Sequence, residues 1–252
     1  MKIFRFFGMA LVAACMSVNF TACSSDDGSD GEGGCINEKK LTKIVSGEEA
    51  YTAFSYDNQG RVVEVVDVYG SAGWTATDVY QYTWCDDAIL VNKQSEIDVP
   101  RNKSYTYNID NGRVYNNDKD EDIESFYYNN SNRLSQIKST WRTYNYFWSG
   151  DKLMAIDDGV KFTYKESCSK GFSPIFVESI SSEPLLIVHP EIIGCRTKQL
   201  PATKTETWDD GDGYGEQTEV LTYSYTFDNE GYISKIEVVN NREKLTYTLT
   251  WE

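Results

Sequence analysis

The chain has 252 residues and a formal charge of −15, with 40% hydrophobic and 14% aromatic residues. That length and apolar content suit one large β domain or two small ones and exclude a wholly disordered chain. The negative field excludes nucleic acid and anionic lipid as partners, leaving cationic ligands and neutral sugars. Tyrosine occurs 18 times against 5 Pro and 1 His, which favours strands over helices.

Residues 1–22 read as a secretory signal. Lys2 and Arg5 give a positive start, and an apolar run follows from Phe6 to Val18. The run is too short and wrongly flanked for a membrane span. It ends in "FTAC", where small residues precede Cys23. This resembles the bacterial lipobox, in which the cysteine becomes the acylated N-terminus, although Phe20 stands where an aliphatic residue is usual. "VAAC", ending at Cys15, matches locally, but the chain stays apolar after it and turns polar after Cys23. Cys23 is therefore the expected lipidation site. Residues 23–35 include "SSDDGSDGEGG", a flexible acidic tether with nothing to bury. It is similar to the export signal that follows the lipidated cysteine in Bacteroidetes surface lipoproteins. The likeness implies lipid anchoring in the outer membrane and display at the cell surface.

From residue 36 to 252 a short unit recurs. "FSYDNQGRVVEVVD" (54–67) returns as "YTFDNEGYISKIEVV" (225–239). Phe54 and Tyr56 share one face of a strand. Asp57 and Gly60 suit the first and fourth positions of a type I turn, as do Asp228 and Gly231. In "YNNSNRL", Asn132 replaces the glycine. After the turn come apolar pairs three apart: Val62 and Val65, Leu134 and Ile137, Leu153 and Ile156, Ile233 and Ile236. That spacing fits a strand only if a bulge after the turn switches faces. Aromatics before the turns (Tyr56, Trp84, Tyr107, Tyr128, Trp148, Phe227) step along the chain at roughly one hairpin each. The expected fold is all-β: one large curved antiparallel meander sheet of about sixteen strands, open or closed like a barrel. Further strands are expected around Tyr164, at 175–180 and at 202–210.

The unit resembles the YD repeats of Rhs-type proteins, which build a spiralling antiparallel sheet. As a whole the chain is similar to Bacteroidetes outer-membrane or surface lipoproteins of unknown function that carry degenerate YD-like hairpins. The resemblance brings no catalytic residues.

Residues 168–200 break the repeat. "SSEPLLIVHPEIIG" holds two prolines, so a long helix is excluded, and "EIIGCRTKQL" suits a short helical turn. Leu185, Leu186, Ile187, Ile192 and Ile193 are expected to form a plug against one face of the sheet; the alternative is a mobile lid over a ligand cavity. Four cysteines follow Cys23, and they allow three pairings. A Cys168–Cys195 disulfide is favoured because these two bracket the insert.

Candidate chemistry is sparse. "WDDGDGYGE" (208–216) offers Asp210, Asp212 and Glu216 as weak calcium ligands, but it departs from an EF-hand loop at Tyr214 and Leu221. "DKDED" (118–122) reads as a solvated loop. No other cofactor is indicated. His189 lies between Val188 and Pro190 and reads as a hydrogen-bonded structural residue. Trp74, Trp141 and Trp208 lie in polar surroundings, and their faces could stack on sugar rings. The expected role is a cell-surface lipoprotein that binds a glycan or an envelope protein without catalysis. A lipid or hydrophobic-ligand carrier is the alternative, and a polysaccharide hydrolase comes third. The oligomeric state stays open.

Overall fold

The computed structural model describes residues 39–252, apart from 72–73, 97–101, 120–121, 158, 169, 171, 179–182, 198 and 210–214. The signal, the tether and Cys23 lie outside the described residues. Residues 35–252 form one compact unit.

The sheet closes. The strands are β1 (Leu41–Val45), β2 (Tyr51–Tyr56), β3 (Val62–Ser71), β4 (Trp74–Trp84), β5 (Ala88–Ser95), β6 (Lys103–Asp110), β7 (Arg113–Lys119) and β8 (Asp122–Tyr128). They continue as β9 (Leu134–Lys138), β10 (Thr143–Ser149), β11 (Lys152–Ile156), β12 (Val160–Cys168), β13 (Gln199–Asp209), β14 (Glu216–Phe227), β15 (Ile233–Val239) and β16 (Lys244–Trp251). Each pairs antiparallel with its neighbours in sequence, and β1 pairs with β16 to complete a barrel. The seam runs from Leu41↔Trp251 to Val45↔Thr248, with Lys40 and Glu252 exchanging both backbone hydrogen bonds at 2.7 and 2.9 Å.

The repeat explains how the wall is built. Asp57 Oδ1 accepts from the backbone N–H groups of Gln59 and Arg61, and Gly60 takes φ +84°. Asp228 holds Glu230 and Tyr232 in the same way, and Asn129 holds Ser131 and Arg133. Asn132 supplies the left-handed residue at φ +55°. Each of these turns is followed by a bulge: Val63, Ser135 and Ser234 are the extra residues opposite a continuous partner strand. The bulge lets Val62 and Val65 both face inward at 0% exposure, and likewise Ile233 and Ile236. The β4–β5 hairpin is the control. Its register has no shift, and the buried residues after its turn, Ile89 and Val91, are two apart.

A second regularity ties strand pairs together. An aromatic towards the plugged end of an even strand donates to a carbonyl at the start of the preceding odd strand. Tyr56 reaches Leu41, Trp84 reaches Val62, Trp148 reaches Leu134, Tyr164 reaches Leu153 and Trp251 reaches Ile233, all within 2.6–2.7 Å. The basic residue after the turn stacks over that ring, as with Lys40 on Tyr56, Arg61 on Trp84, Arg133 on Trp148 and Lys152 on Tyr164. These contacts combine cation–π attraction with a satisfied carbonyl. Tyr164→Phe keeps the ring and removes only the hydroxyl. It is expected to cost about 1–3 kcal/mol, measurable as a lower urea midpoint at unchanged m-value.

The insert fills one end of the barrel. It carries α1 (Pro174–Glu178), α2 (Pro184–Val188) and the 3-10 turn η1 (Pro190–Ile193). The strand expected at 175–180 is therefore corrected to a helix over its described part, 175–178. β12 and β13 already pair with each other, so no sheet edge is free there, and Pro174 opens a helical turn well. Leu185, Leu186 and Ile193 are at most 2% exposed. The insert reaches round the ring. Its Glu183 accepts from Tyr105 Oη at 2.8 Å, the Glu191 carbonyl accepts from Arg113, and the Arg196 carbonyl accepts from Arg133. Phe176 meets Phe162, and Phe172 meets Trp251. The Cys168–Cys195 disulfide is absent: Cys195 is a free, fully buried thiol. It follows Gly194 into the core, and its Sγ points to the Ile193 carbonyl. Burial pushes that thiol well above its ordinary pKa.

The wall is polar outside. Outward positions on β16 are Lys244, Thr246, Thr248 and Thr250, and on β14 they are Thr218, Val220, Thr222, Ser224 and Thr226. Exposed Tyr115 and Tyr127 on β7 and β8, and Phe147 and Met154 on β10 and β11, lie near the plugged end on either side of β9. A bilayer-spanning barrel needs an apolar outer band about 25 Å tall. β1, β9 and β11 have 5 residues each, or about 17 Å of strand.

Candidate functional site

Strand parity sorts the chain ends and loops. The β2–β3, β4–β5, β6–β7, β8–β9, β10–β11 and β14–β15 turns share the plugged end with the insert. The remaining loops share the far end, where inward-facing Leu245 is 41% exposed. All three candidate tryptophans belong to that far end. Trp74 opens β4 and stands edge-on to Tyr69 at 6.4 Å. Trp141 sits on the β9–β10 turn, where Ser139 Oγ accepts from the N–H groups of Trp141 and Arg142. Trp208 lies near the end of β13. They are 53%, 81% and 44% exposed.

The three share a rim but not a cluster. From β4 to β9 is five strand steps, or about 24 Å along the wall. Trp74 alternates with buried Ala76 and Asp78 on the unshifted β3–β4 ladder and so is turned to the inner face at the rim, and Trp208 is turned to the lumen too. On the unbroken β13–β14 ladder, Lys204, Glu206 and Trp208 pair with Leu221, Glu219 and Gln217, and strand alternation puts all six on the inner face.

Below Trp208 is a cavity of about 250 Å³ lined by Ile175, Lys204, Leu221, Tyr223, Val238, Asn240, Glu243, Leu245 and Tyr247. Ile175 belongs to the insert, so the plug contributes to the cavity lining. Lys204 Nζ pairs with Glu206 at 2.7 Å, and Asn240 Nδ2 donates to Glu219 at 3.0 Å. A broader depression of about 540 Å³ lies over β4–β6, lined by Gln81, Thr83, Leu90, Val91, Asn92, Ser104, Tyr105 and Thr106; its outward side chains are polar apart from Leu90.

A second polar group lies within the lumen. Asp67 and Asp78 are cross-strand partners. Lys93 bonds Asp78 at 2.6 Å and covers the Tyr80 ring at 5.0 Å. Asp67 accepts from Thr52 Oγ1, and burial raises its pKa above the usual carboxylate value. This group is a structural neutralisation: one lysine offsets two facing acids that would otherwise repel.

His189 is fully engaged. Its Nε2 accepts from the Val62 N–H at 3.2 Å, which places the proton on Nδ1, facing Glu191 Oε1 at 2.7 Å. Trp84 packs edge-on against the ring. Neither nitrogen is left for acid–base work. Asp210 and Asp212 lie outside the described residues, and Glu216 is exposed at the start of β14. Among the described residues no three Asp, Glu, His or Cys side chains converge on a metal position. The cavity lining escaped sequence reasoning because its members come from the insert and four strands, with no local signature.

No family model matches the chain, and no curated protein matches it. Among solved structures, a porin-like protein from Bacteroides uniformis superposes with a TM-score of 0.62 at 15% identity, covering 84% of this chain and 98% of that one. A porin-like protein from Bacteroides vulgatus aligns over 85% of this chain and 86% of that one at 12% identity, with a TM-score of 0.29. The first likeness is one of fold: a large closed β-barrel.

Proposed function

We propose that the protein is a lipid-anchored envelope protein, displayed at the cell surface, that binds a glycan at its far rim without catalysis. The observation that carries this reading is the placing of Trp74, Trp141 and Trp208 at one end, exposed, opposite the plug. Exposed aromatic faces bury sugar C–H surface at little entropic cost. The first described residues, Lys39–Leu41, join the barrel at the plugged end, opposite the tryptophan rim. The porin-like barrel from Bacteroides uniformis supports an envelope setting.

The carrier reading is less well supported. The insert fills the plugged end, and the cavity against it, about 250 Å³, falls below the range of about 300–1,000 Å³ usual for drug-sized ligands. The same plug argues against a through-channel.

Titration of the purified protein with a polysaccharide panel, followed by tryptophan fluorescence with and without calcium, tests the binding claim. A saturable response to one glycan is expected, weakened at least about tenfold by Trp208→Ala, or about 1.4 kcal/mol. Silence across the panel would shift the reading to an envelope-protein ligand. For the anchor, palmitate labelling in cells is expected to survive Cys15→Ser and to vanish in Cys23→Ser. Label retained in Cys23→Ser would remove the lipidation assignment. Protease shaving of intact cells tests display, and complete protection would contradict it.

A further inference from the structure

We infer that the cavity beneath Trp208 receives the terminal residue of a non-anionic glycan, end-on. This inference rests on the proposed rim-binding function and names the part of the ligand that is recognised.

Three observations carry it. The cavity meets the plug on its inner side: Ile175 of α1 is part of its lining, and α1 is packed by Phe176 against Phe162 and Tyr164. An internal stretch of polymer needs two exits, whereas a chain terminus needs one. Its volume of about 250 Å³ is below that of pockets for larger ligands, which suits a single ring. Its walls are amphipathic in the manner that sugars require. Tyr223, Leu221, Tyr247 and Leu245 give apolar and aromatic surface, while Lys204, Asn240 and Glu243 offer hydrogen-bonding groups at its edge.

Charge sets the ligand class. Lys204 is the one cation in this set, against the carboxylates of Glu206, Glu219 and Glu243. Lys204 is already paired with Glu206. A uronic acid or a phosphorylated sugar would bring an anion beside an excess of carboxylates in a site partly shielded from water, where repulsion is strong. A neutral or amino sugar meets no such opposition. Trp208, two steps along the inner face from Lys204 towards the mouth, is placed to cover the ring next in line.

The test uses the full protein and short oligosaccharides ending in glucose, galactose, mannose, N-acetylglucosamine or glucosamine, with glucuronate-terminated ones as the anionic arm. Binding is read by tryptophan emission and by calorimetry. At least one non-anionic terminus is expected to bind and the glucuronate set to fail. Leu221→Trp and Leu245→Trp both narrow the cavity. Leu245 is 41% exposed, so its replacement does not threaten folding. Each is expected to weaken binding at least about tenfold, while Phe147→Ser on the outer wall leaves it unchanged. Undiminished binding in both filled variants, lost instead in Trp74→Ala or Trp141→Ala, overturns the end-on inference and leaves the rim reading standing. Preferential binding of the glucuronate set also overturns it. No binding by any sugar removes the rim reading and this inference together.

Discussion

Gly194→Ala is expected to destabilise the protein by about 3 kcal/mol or more, lowering Tm by about 6–12 °C for a domain of this size. Gly194 ends η1 at φ +65° and donates to the carbonyls of Glu191 and Pro190. A side chain there is strained by about 1–2 kcal/mol. A Cβ would also collide with the Asn132 carbonyl oxygen and lie 3.2 Å from Leu134 N and 3.3 Å from Arg133 Cα. All three are backbone atoms of the β8–β9 turn and cannot rotate away. Gly60→Ala is the comparison. Gly60 has φ +84°, but its added Cβ would meet only the end of the Lys40 side chain at 3.1 Å, so about 1 kcal/mol is expected. Thermal melts of the two variants check this difference. Equal losses would mean that the insert does not press on the wall at Gly194.

The second large effect is alkaline unfolding. Nine lumen-side tyrosines have hydroxyls held protonated beyond the ordinary range: Tyr56, Tyr80, Tyr82, Tyr105, Tyr107, Tyr128, Tyr146, Tyr164 and Tyr225. Burial is the main cause in each, and Glu183 adds repulsion at Tyr82, Tyr105 and Tyr107. Tyr80 is pushed up to about 12. A raised folded pKa means that the unfolded chain loses its proton first. The associated stability is therefore intact below pH about 10 and falls as pH rises, by up to about 1.4 kcal/mol per unit for each protected hydroxyl. Phenolate absorbance and the loss of β circular dichroism are expected to rise together, cooperatively, between pH about 10 and 12. Ordinary tyrosine titration with the fold intact would contradict the placing of these rings.

Much of the wall was legible because its determinants are local. Asp57 and Gly60 dictate a turn, and the spacing of Val62 and Val65 demands a bulge; both follow from a few neighbouring residues. Closure was not legible, since nothing near Leu41 names Trp251 as its partner, and ring closure is a collective outcome of tilt and register. The prolines of the insert spoke against a long helix, but no feature of 175–180 reported that β12 and β13 would leave it without a sheet edge. The disulfide failed for a similar reason: bracketing an insert in sequence says nothing about where Gly194 aims Cys195. The common end of Trp74, Trp141 and Trp208 was present in the order of the hairpins, since each lies where an odd strand gives way to an even one. The cavity was not, because Ile175, Lys204, Leu221 and Tyr247 are neighbours only once the barrel has closed around its plug.

The barrel turns its apolar and aromatic face inward onto the plug and a threonine-rich face outward, from which residues 35–252 are expected to hold together in water. The direct test is light scattering of that segment after gel filtration in detergent-free buffer, with circular dichroism on the same peak. A monodisperse, β-rich species without detergent is the predicted result. Recovery only as a detergent-bound particle, with aggregation when the detergent is removed, would contradict it.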